Sequence, residues 1–339
     1  MKKLTTLTAV LCIMLFAAAA TAAPKEFAIA NDSTDDTITG LMTQKLKEVL
    51  EAKSKGAFKV ATFPNSQLGS DREITQSCQN GELAFVVQNT APQVNFVPKA
   101  AVFDLPNLFP NKKVARAALD KFQRDIEPEY AKAGIVMLGF GDQGFHVLSS
   151  NKAINKIEDF KGLKLRTMEN KYHVQYWQSL GANPTPLPFS ELYLALQQGT
   201  VTGQENPYEV IVATKLYEVQ KYVIDTNHLF HTITIIMSKN IYDQLTPEEQ
   251  KLVRDAAREV ITWGREQADK RHADRVAILK KNNVQIIKLD EKLLGEMQAK
   301  SKPVYDNISK AVGADLVIGS LIKNPGGGMA ETGGYIAGS

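Results

Sequence analysis

The chain is short of cysteine, short of tryptophan and nearly without net charge. It has 339 residues, of which two are cysteines, Cys12 and Cys78, and two are tryptophans. Cys12 lies inside the apolar run that opens the chain, so a processed chain keeps Cys78 alone. An intramolecular disulfide is therefore excluded, even in an oxidising compartment. Stability must come from core burial, which a chain of this length supplies in two domains. The 40 basic and 37 acidic residues give a formal charge of +3. That balance leaves no electrostatic footprint for nucleic acid or anionic lipid, and no nucleic-acid partner is expected.

Long apolar runs are also missing, apart from the first. Lys2 and Lys3 precede an apolar stretch from Leu7 to Ala20, which ends in the small-residue site Ala20-Thr21-Ala22. This pattern reads as a signal peptide over residues 1–22, with cleavage after Ala22. The stretch falls short of the roughly 20 apolar residues that span a bilayer. Leu11, before Cys12, is too large for lipoprotein processing. Loss of Lys2 and Lys3 leaves 38 of the 40 basic residues against 37 acidic ones, a net +1. A soluble periplasmic protein, monomeric, is the expectation.

Strand and helix alternate at the start of the mature chain. Phe27–Ala30 reads as a strand ending at Asn31-Asp32. Ile38, Leu41, Met42, Leu46, Val49 and Leu50 recur at helical spacing and stop near Gly56. Phe58–Phe63 is a second strand, a helix begins near Asp71, and Leu83–Val87 is a third strand. This order implies a parallel sheet with helices on its faces. Ligands bind beyond the carboxyl ends of such strands, which marks Asn31, Gln88 and Asn89 as candidate ligand residues. Further strands are read at residues 135–138 and 233–237, and a strand-helix region runs from Leu163 to Val223. Thr246, Pro247 and Glu249 form a strong helix start with a capping box. Helical periodicity then persists to about Asn282, with Gly264 as one weak point. Such a helix is about 50 Å long and bridges two domains. Pro325 to Gly334 reads as irregular.

Two chemical motifs fail on context. Gly139-Phe140-Gly141-Asp142-Gln143-Gly144 is a literal G-x-G-x-x-G, but Phe145-His146-Val147-Leu148 continues as strand where a dinucleotide site needs a helix N-terminus. A flexible turn is expected there. His228 and His231 stand in β-like sequence, where a spacing of three points them to opposite faces, so no metal site is expected. No cofactor is expected either.

Several separated segments together resemble one family. They are Lys161-Gly162-Leu163-Lys164-Leu165-Arg166, Gly181–Pro186, Phe189–Gln197 and Gly203-Gln204-Glu205-Asn206-Pro207, joined by Phe63-Pro64-Asn65, Asp71-Arg72-Glu73, Asp104-Leu105-Pro106 and Leu245–Gln250. In that order they are similar to the solute receptors of tripartite ATP-independent periplasmic (TRAP) transporters. The resemblance implies a fold of two α/β domains joined by crossing strands, with one long helix spanning both. The expected division is residues 23–143 plus 232–271 for one domain and 144–231 plus 272–339 for the other, with a ligand cleft between. It also implies a binding protein rather than an enzyme. A small organic carboxylate is its ligand, and a membrane permease driven by an ion gradient is its partner. By the same resemblance Arg166 forms a two-pronged salt bridge with the ligand carboxylate, Asn206 is its second partner, Phe189 packs on the ligand and Glu73 faces its polar groups. Guanidinium geometry suits the first role.

Two positions depart from the family pattern. His146 stands where many members carry a second cleft arginine, and Thr202 stands where aspartate is common. The loss of a fixed cation favours a monocarboxylate with a neutral, aromatic or apolar remainder, and His146→Arg is expected to admit diacids. Tyr172, Trp177, Tyr208, Phe230 and His231 are candidate ring surfaces. A secreted enzyme or a sensory receptor on the same fold is the competing reading, because fold alone does not fix function.

Overall fold

The computed structural model describes residues 23–313 and two short strands, Leu316–Val317 and Ile336–Ala337. The expected signal peptide and the glycine-rich stretch Pro325 to Gly334 lie outside the described residues. Among the described residues, no helix is long and apolar enough to cross a membrane.

Strands β1 (Lys25–Ala30), β2 (Phe58–Phe63) and β3 (Phe85–Asn89) alternate with helices α1 (Ile38–Lys53) and α2 (Asp71–Asn80). The strands pair in parallel with β1 central, as the alternating pattern requires. Helix α3 (Lys112–Lys132) leads into β4 (Ile135–Phe145), and the chain then enters a second sheet. Its elements are β5 (Val147–Ser150), β6 (Lys164–Thr167), α4 (Lys171–Ser179), β7 (Asn183–Pro186), α5 (Leu192–Gln197), β8 (Gly203–Asn206), α6 (Tyr208–Ala213) and β9 (Tyr222–Ile224). Strand β10 (Phe230–Ser238) returns to the first sheet and inserts antiparallel between β3 and β4. Then follow α7 (Lys239–Tyr242), α8 (Pro247–Lys281), β11 (Gln285–Ile287), α9 (Glu291–Lys300), α10 (Lys302–Val312) and the short strands β12 and β13. The sheet orders are β2-β1-β3-β10-β4 and β11-β9-β5-β8-β6-β7.

The chain crosses between the sheets at His146 and again just before Phe230. These crossings run side by side: His146 N–H donates to the Leu229 carbonyl at 2.8 Å. Helix α8 begins as its sequence demands, with Thr246 Oγ1 accepting from Glu249 N–H and the Glu249 carboxylate accepting from Thr246 N–H. Its 35 residues pack Val253, Ala256, Val260 and Ile261 into the core of the first sheet and Leu279 into that of the second.

The glycine motif at 139–144 is corrected. It is not a flexible turn but part of the long strand β4. Gly139 has φ +147, and a Cβ there would strike Ile261 of α8; one on Gly141 would lie 2.9 Å from Met42 Cε. Gly264, read as a weak point of α8, passes over the same methionine: a Cβ would lie 2.7 Å from Met42 Cγ. The glycines let α1, α8 and β4 approach closely. The third strand is also shifted by two residues, so Gln88 and Asn89 are its last members rather than loop residues beyond it.

Candidate ligand site

A cavity lies between the two sheets. Asp32, Ser33, Thr39, Asp71, Asn89, Gln143 and His231 line it from the first sheet and its helices; Arg166, Met168, Phe189, Asn206 and Val210 line it from the second.

Arg166 sits on β6 with 1% of its surface exposed. Its Nε and Nη2 donate to the Leu187 carbonyl at 3.0 and 2.7 Å. The guanidinium also stands 5.7 Å over the Phe189 ring. Nη1 is buried and, among the described residues, has no hydrogen-bond partner. The carbonyl has thus used one face of the fork and left the Nη1–Nη2 edge, the geometry that takes two carboxylate oxygens. Burial pulls this guanidinium below its ordinary range, against the fields of Glu205, Asp32, Asp71 and Glu169. Asn206 closes β8 nearby and donates to Gln204 Oε1 at 2.6 Å, which orients its amide.

Five expected ligand residues line the cavity: Arg166, Asn206, Phe189, Asn89 and His231. The others do not. Glu73 is exposed and caps α2: its carboxylate accepts from Ser70 N–H at 2.8 Å, and the same bond holds its carboxyl below the usual range. Asn31 is buried behind the wall, where its amide bonds Thr43 Oγ1 and accepts from Ser33 N–H. It orders the turn that presents Asp32 and Ser33. Gln88 is fully buried against Thr75; turned so that its nitrogen faces α2, it donates to Asp71 Oδ1 at 3.2 Å. Tyr208 directs its hydroxyl to Asp225 and its ring to His272. Phe230 packs edge-on against Phe109 and Phe145, and Tyr172 and Trp177 belong to the same core. Of the expected ring surfaces, only His231 lines the cavity. Polar side chains make most of the wall.

His146 lies one layer back, in a cluster that holds four of the five histidines. Its Nδ1 contacts Glu205 Oε2, its Nε2 lies 2.8 Å from His231 Nδ1, and His228 Nε2 lies 3.4 Å from Glu205 Oε2. His173 bridges two acids, with Nδ1 3.2 Å from Glu205 Oε1 and Nε2 3.0 Å from Asp104 Oδ1. Reading His228 and His231 as pointing apart on one strand does not hold, because His228 precedes β10 at the crossing. Both rings pack on His146.

His146 Nδ1, Glu205 Oε2 and His228 Nε2 lie within 4.8 Å of one another, a donor set that suits a metal. Hydrogen-bond polarity places a proton on one of the three, His146 Nδ1. Ile38 N–H donates to Gln143 Oε1 at 3.1 Å, which fixes that amide. Gln143 Nε2 then donates to Thr39 Oγ1 and to His231 Nε2, each at 3.2 Å. An accepting Nε2 leaves the His231 proton on Nδ1, so His146 accepts at Nε2 and carries its own proton on Nδ1, toward Glu205. Burial holds His231 well below its ordinary range, in keeping with a neutral ring. Burial alone would raise the Glu205 carboxyl, but His146, His173 and His228 hold it well below its ordinary range. Burial acts against a charged His173, yet the bonds to Asp104 and Glu205 raise it to about 10.

Asp32 and Asp71 were not singled out from the sequence as ligand residues. Asp71 stood in a quoted motif beside Glu73. Two residues apart on a helix of 3.6 residues per turn, they face nearly opposite ways, and the structure turns Asp71 inward. Burial and the adjoining Asp32 carboxyl, in hydrogen-bond contact, raise Asp71 well above the ordinary carboxylate range.

A profile of the bacterial extracellular solute-binding proteins, family 7, matches residues 29–311. The chain belongs to that family. It is 35% identical over 274 residues to a solute-binding protein of Verminephrobacter eiseniae, which covers 80% of this chain and 76% of that one. It is 34% identical over 224 residues to the ectoine/5-hydroxyectoine-binding periplasmic protein UehA of Ruegeria pomeroyi, covering 65% and 66%. A crystal structure of a TRAP periplasmic solute binding protein of Polaromonas sp. JS666, bound to D-erythronate, superposes with a TM-score of 0.81. That match has 32% identity and covers 85% of this chain and 95% of that one. The two-domain α/β fold of family 7 is therefore this chain's fold, and the TRAP receptor resemblance holds at the level of the family.

Proposed function

We propose that this chain is the extracytoplasmic receptor of a TRAP transporter. It binds one small organic monocarboxylate between its two sheets and delivers it to a membrane permease. The carrying observation is Arg166: a buried guanidinium at the cavity wall with its Nη1 unpartnered. A buried cation left partly unpaired is costly, and a ligand carboxylate relieves it. Asn206 adds a second contact and Phe189 a ring face. The division into residues 23–143 plus 232–271 and 144–231 plus 272–339 gives each lobe one sheet, and hinge closure at the His146 crossing seals the cleft. We read the signal peptide, periplasmic location and monomeric state with this role.

The remainder of the ligand is polar, because the wall opposite Arg166 is polar. D-erythronate, bound to the Polaromonas protein, and ectoine, for which UehA is named, each carry a single carboxylate. One cationic side chain lines this cavity, and a single carboxylate matches it.

The test is a thermal-shift and calorimetry screen of the processed protein, stripped of co-purified ligand, against small organic acids. A ligand at a hundred times its Kd stabilises the fold by about 2.7 kcal/mol. Arg166→Ala should cost about 2–5 kcal/mol of affinity while the protein stays folded. Unchanged affinity in that variant, or turnover of the ligand during incubation, overturns the proposal.

A further inference from the structure

The wall opposite Arg166 is acidic, and the charge around the cavity does not balance with a simple anion inside. Among the described residues, Arg166 is the one cationic side chain lining it, while Asp32 and Asp71 line the other side. Four carboxylates act on that guanidinium: Glu205, Asp32, Asp71 and Glu169. Glu205 is matched by the imidazolium of His173, which also faces Asp104. His231 presents a neutral ring, fixed by Gln143. With a proton held on Asp71, Asp32 and Glu169 still outnumber Arg166 in this set before any ligand arrives. A ligand that brings only a carboxylate adds a further negative charge to this set.

Resting on the receptor reading above, we infer that the ligand is a zwitterion. Its carboxylate takes the Nη1–Nη2 edge of Arg166, and an ammonium or amidinium group lies between the carboxylates of Asp32 and Asp71. Two independent observations point to the two poles. The buried, unpartnered Nη1 of Arg166 awaits an anion. The paired carboxyls of Asp32 and Asp71 repel each other unless a positive group or a proton sits between them. The raised Asp71 carboxyl agrees with a proton held in that place when no cation is there. Among the described residues, the Asp32 carboxylate has one further hydrogen-bond partner, the Ser33 hydroxyl donating to Oδ1 at 2.8 Å.

A cation and a hydroxyl group have opposite proton linkage at this pair. A cation replaces the shared proton, so binding releases it and affinity rises with pH. A neutral hydroxy acid binds with the proton retained, so affinity falls as the pair ionises. The experiment uses matched probes on ligand-stripped protein: ectoine against D-erythronate, and 4-aminobutyrate against 4-hydroxybutyrate. Calorimetry in buffers of different ionisation enthalpy counts the protons exchanged, from about pH 4 to about pH 8. The expected result is about tenfold or greater preference for the zwitterion of at least one pair, with proton release. Asp71→Asn and, as a second variant, Asp32→Asn should each erase the preference, with folding checked by circular dichroism. Equal or tighter binding of the hydroxy acids, or affinity for the zwitterion that falls with rising pH, overturns this inference and leaves the receptor reading standing. Binding of no carboxylate at all, in a screen wider than these probes, overturns both.

Discussion

His173 should make this protein lose stability as the solution becomes alkaline. The ring lies between the carboxylates of Glu205 and Asp104 and is buried, and these partners raise it to about 10 against the opposing effect of burial. An unfolded histidine titrates near 6.5. A raised native value means that the stabilisation is full below about pH 6.5 and is lost as pH rises through about 10. In that window the native chain holds one proton more than the unfolded chain, so unfolding free energy falls by about 1.4 kcal/mol per pH unit. From pH 7 to pH 9 the loss is about 3 kcal/mol, or roughly 4–5 °C in Tm for a chain of this size. Cys78 acts in the same direction above about pH 8.5, because its buried thiol stays protonated in the native state. The measurement therefore belongs in a Cys78→Ala background. Urea denaturation at pH 7, 8 and 9 would be compared with the same background carrying His173→Gln, whose pH slope should be flatter by about 1.4 kcal/mol per unit. Equal slopes would refute the reasoning. So would a neutral imidazole signal for His173 by NMR at pH 8, a readout that needs no variant.

The other expectations separate binding from folding. Glu73→Ala removes the N3 half of the α2 capping box and leaves the Ser70 cap, so it should lower stability slightly while leaving ligand affinity unchanged, as calorimetry and urea denaturation will show. Cys78 should resist thiol reagents in the native protein and react fully in denaturant, because it is buried and its thiol is raised by burial. Gly264→Ala gains helix propensity but drives a methyl into Met42, which is fully buried, and should lower Tm.

The coarse fold was legible because its signals are local. Alternating apolar periods marked β1, α1, β2 and α2, and the capping box at Thr246 marked the start of α8. The antiparallel place of β10 between β3 and β4 depends on pairing across more than 140 residues to β3 and about 85–103 to β4, which no local pattern encodes. Gly139 and Gly141 escape a local reading for the same reason: what requires them is Ile261 and Met42, both distant in sequence. At the site, Arg166, Asn206 and Phe189 came from the family's motifs. Asp32 and Asp71 were missed because the choice between neighbours, Asn31 or Asp32 and Asp71 or Glu73, turns on which way a side chain faces. Helical and strand periodicity restrict that choice, and tertiary packing makes it.

The position of His146 changes what its replacement can do. At the level of sequence, His146→Arg looked sufficient to admit a second carboxylate. In the structure His146 does not line the cavity; His231 stands between, with Nδ1 2.8 Å from His146 Nε2. An arginine introduced at 146 would meet Glu205, the nearest carboxylate and one held ionised, and would spend its fork there. It would also break the donor chain Gln143–His231–His146, since arginine offers no acceptor to His231 Nδ1. The single variant should therefore gain no affinity for succinate. A guanidinium reaches the ligand from this side only if His231 is also cut back, as in His146→Arg with His231→Ala. Calorimetry with succinate on both variants decides: tight binding by His146→Arg alone would show that His231 does not screen the cavity from the layer behind it.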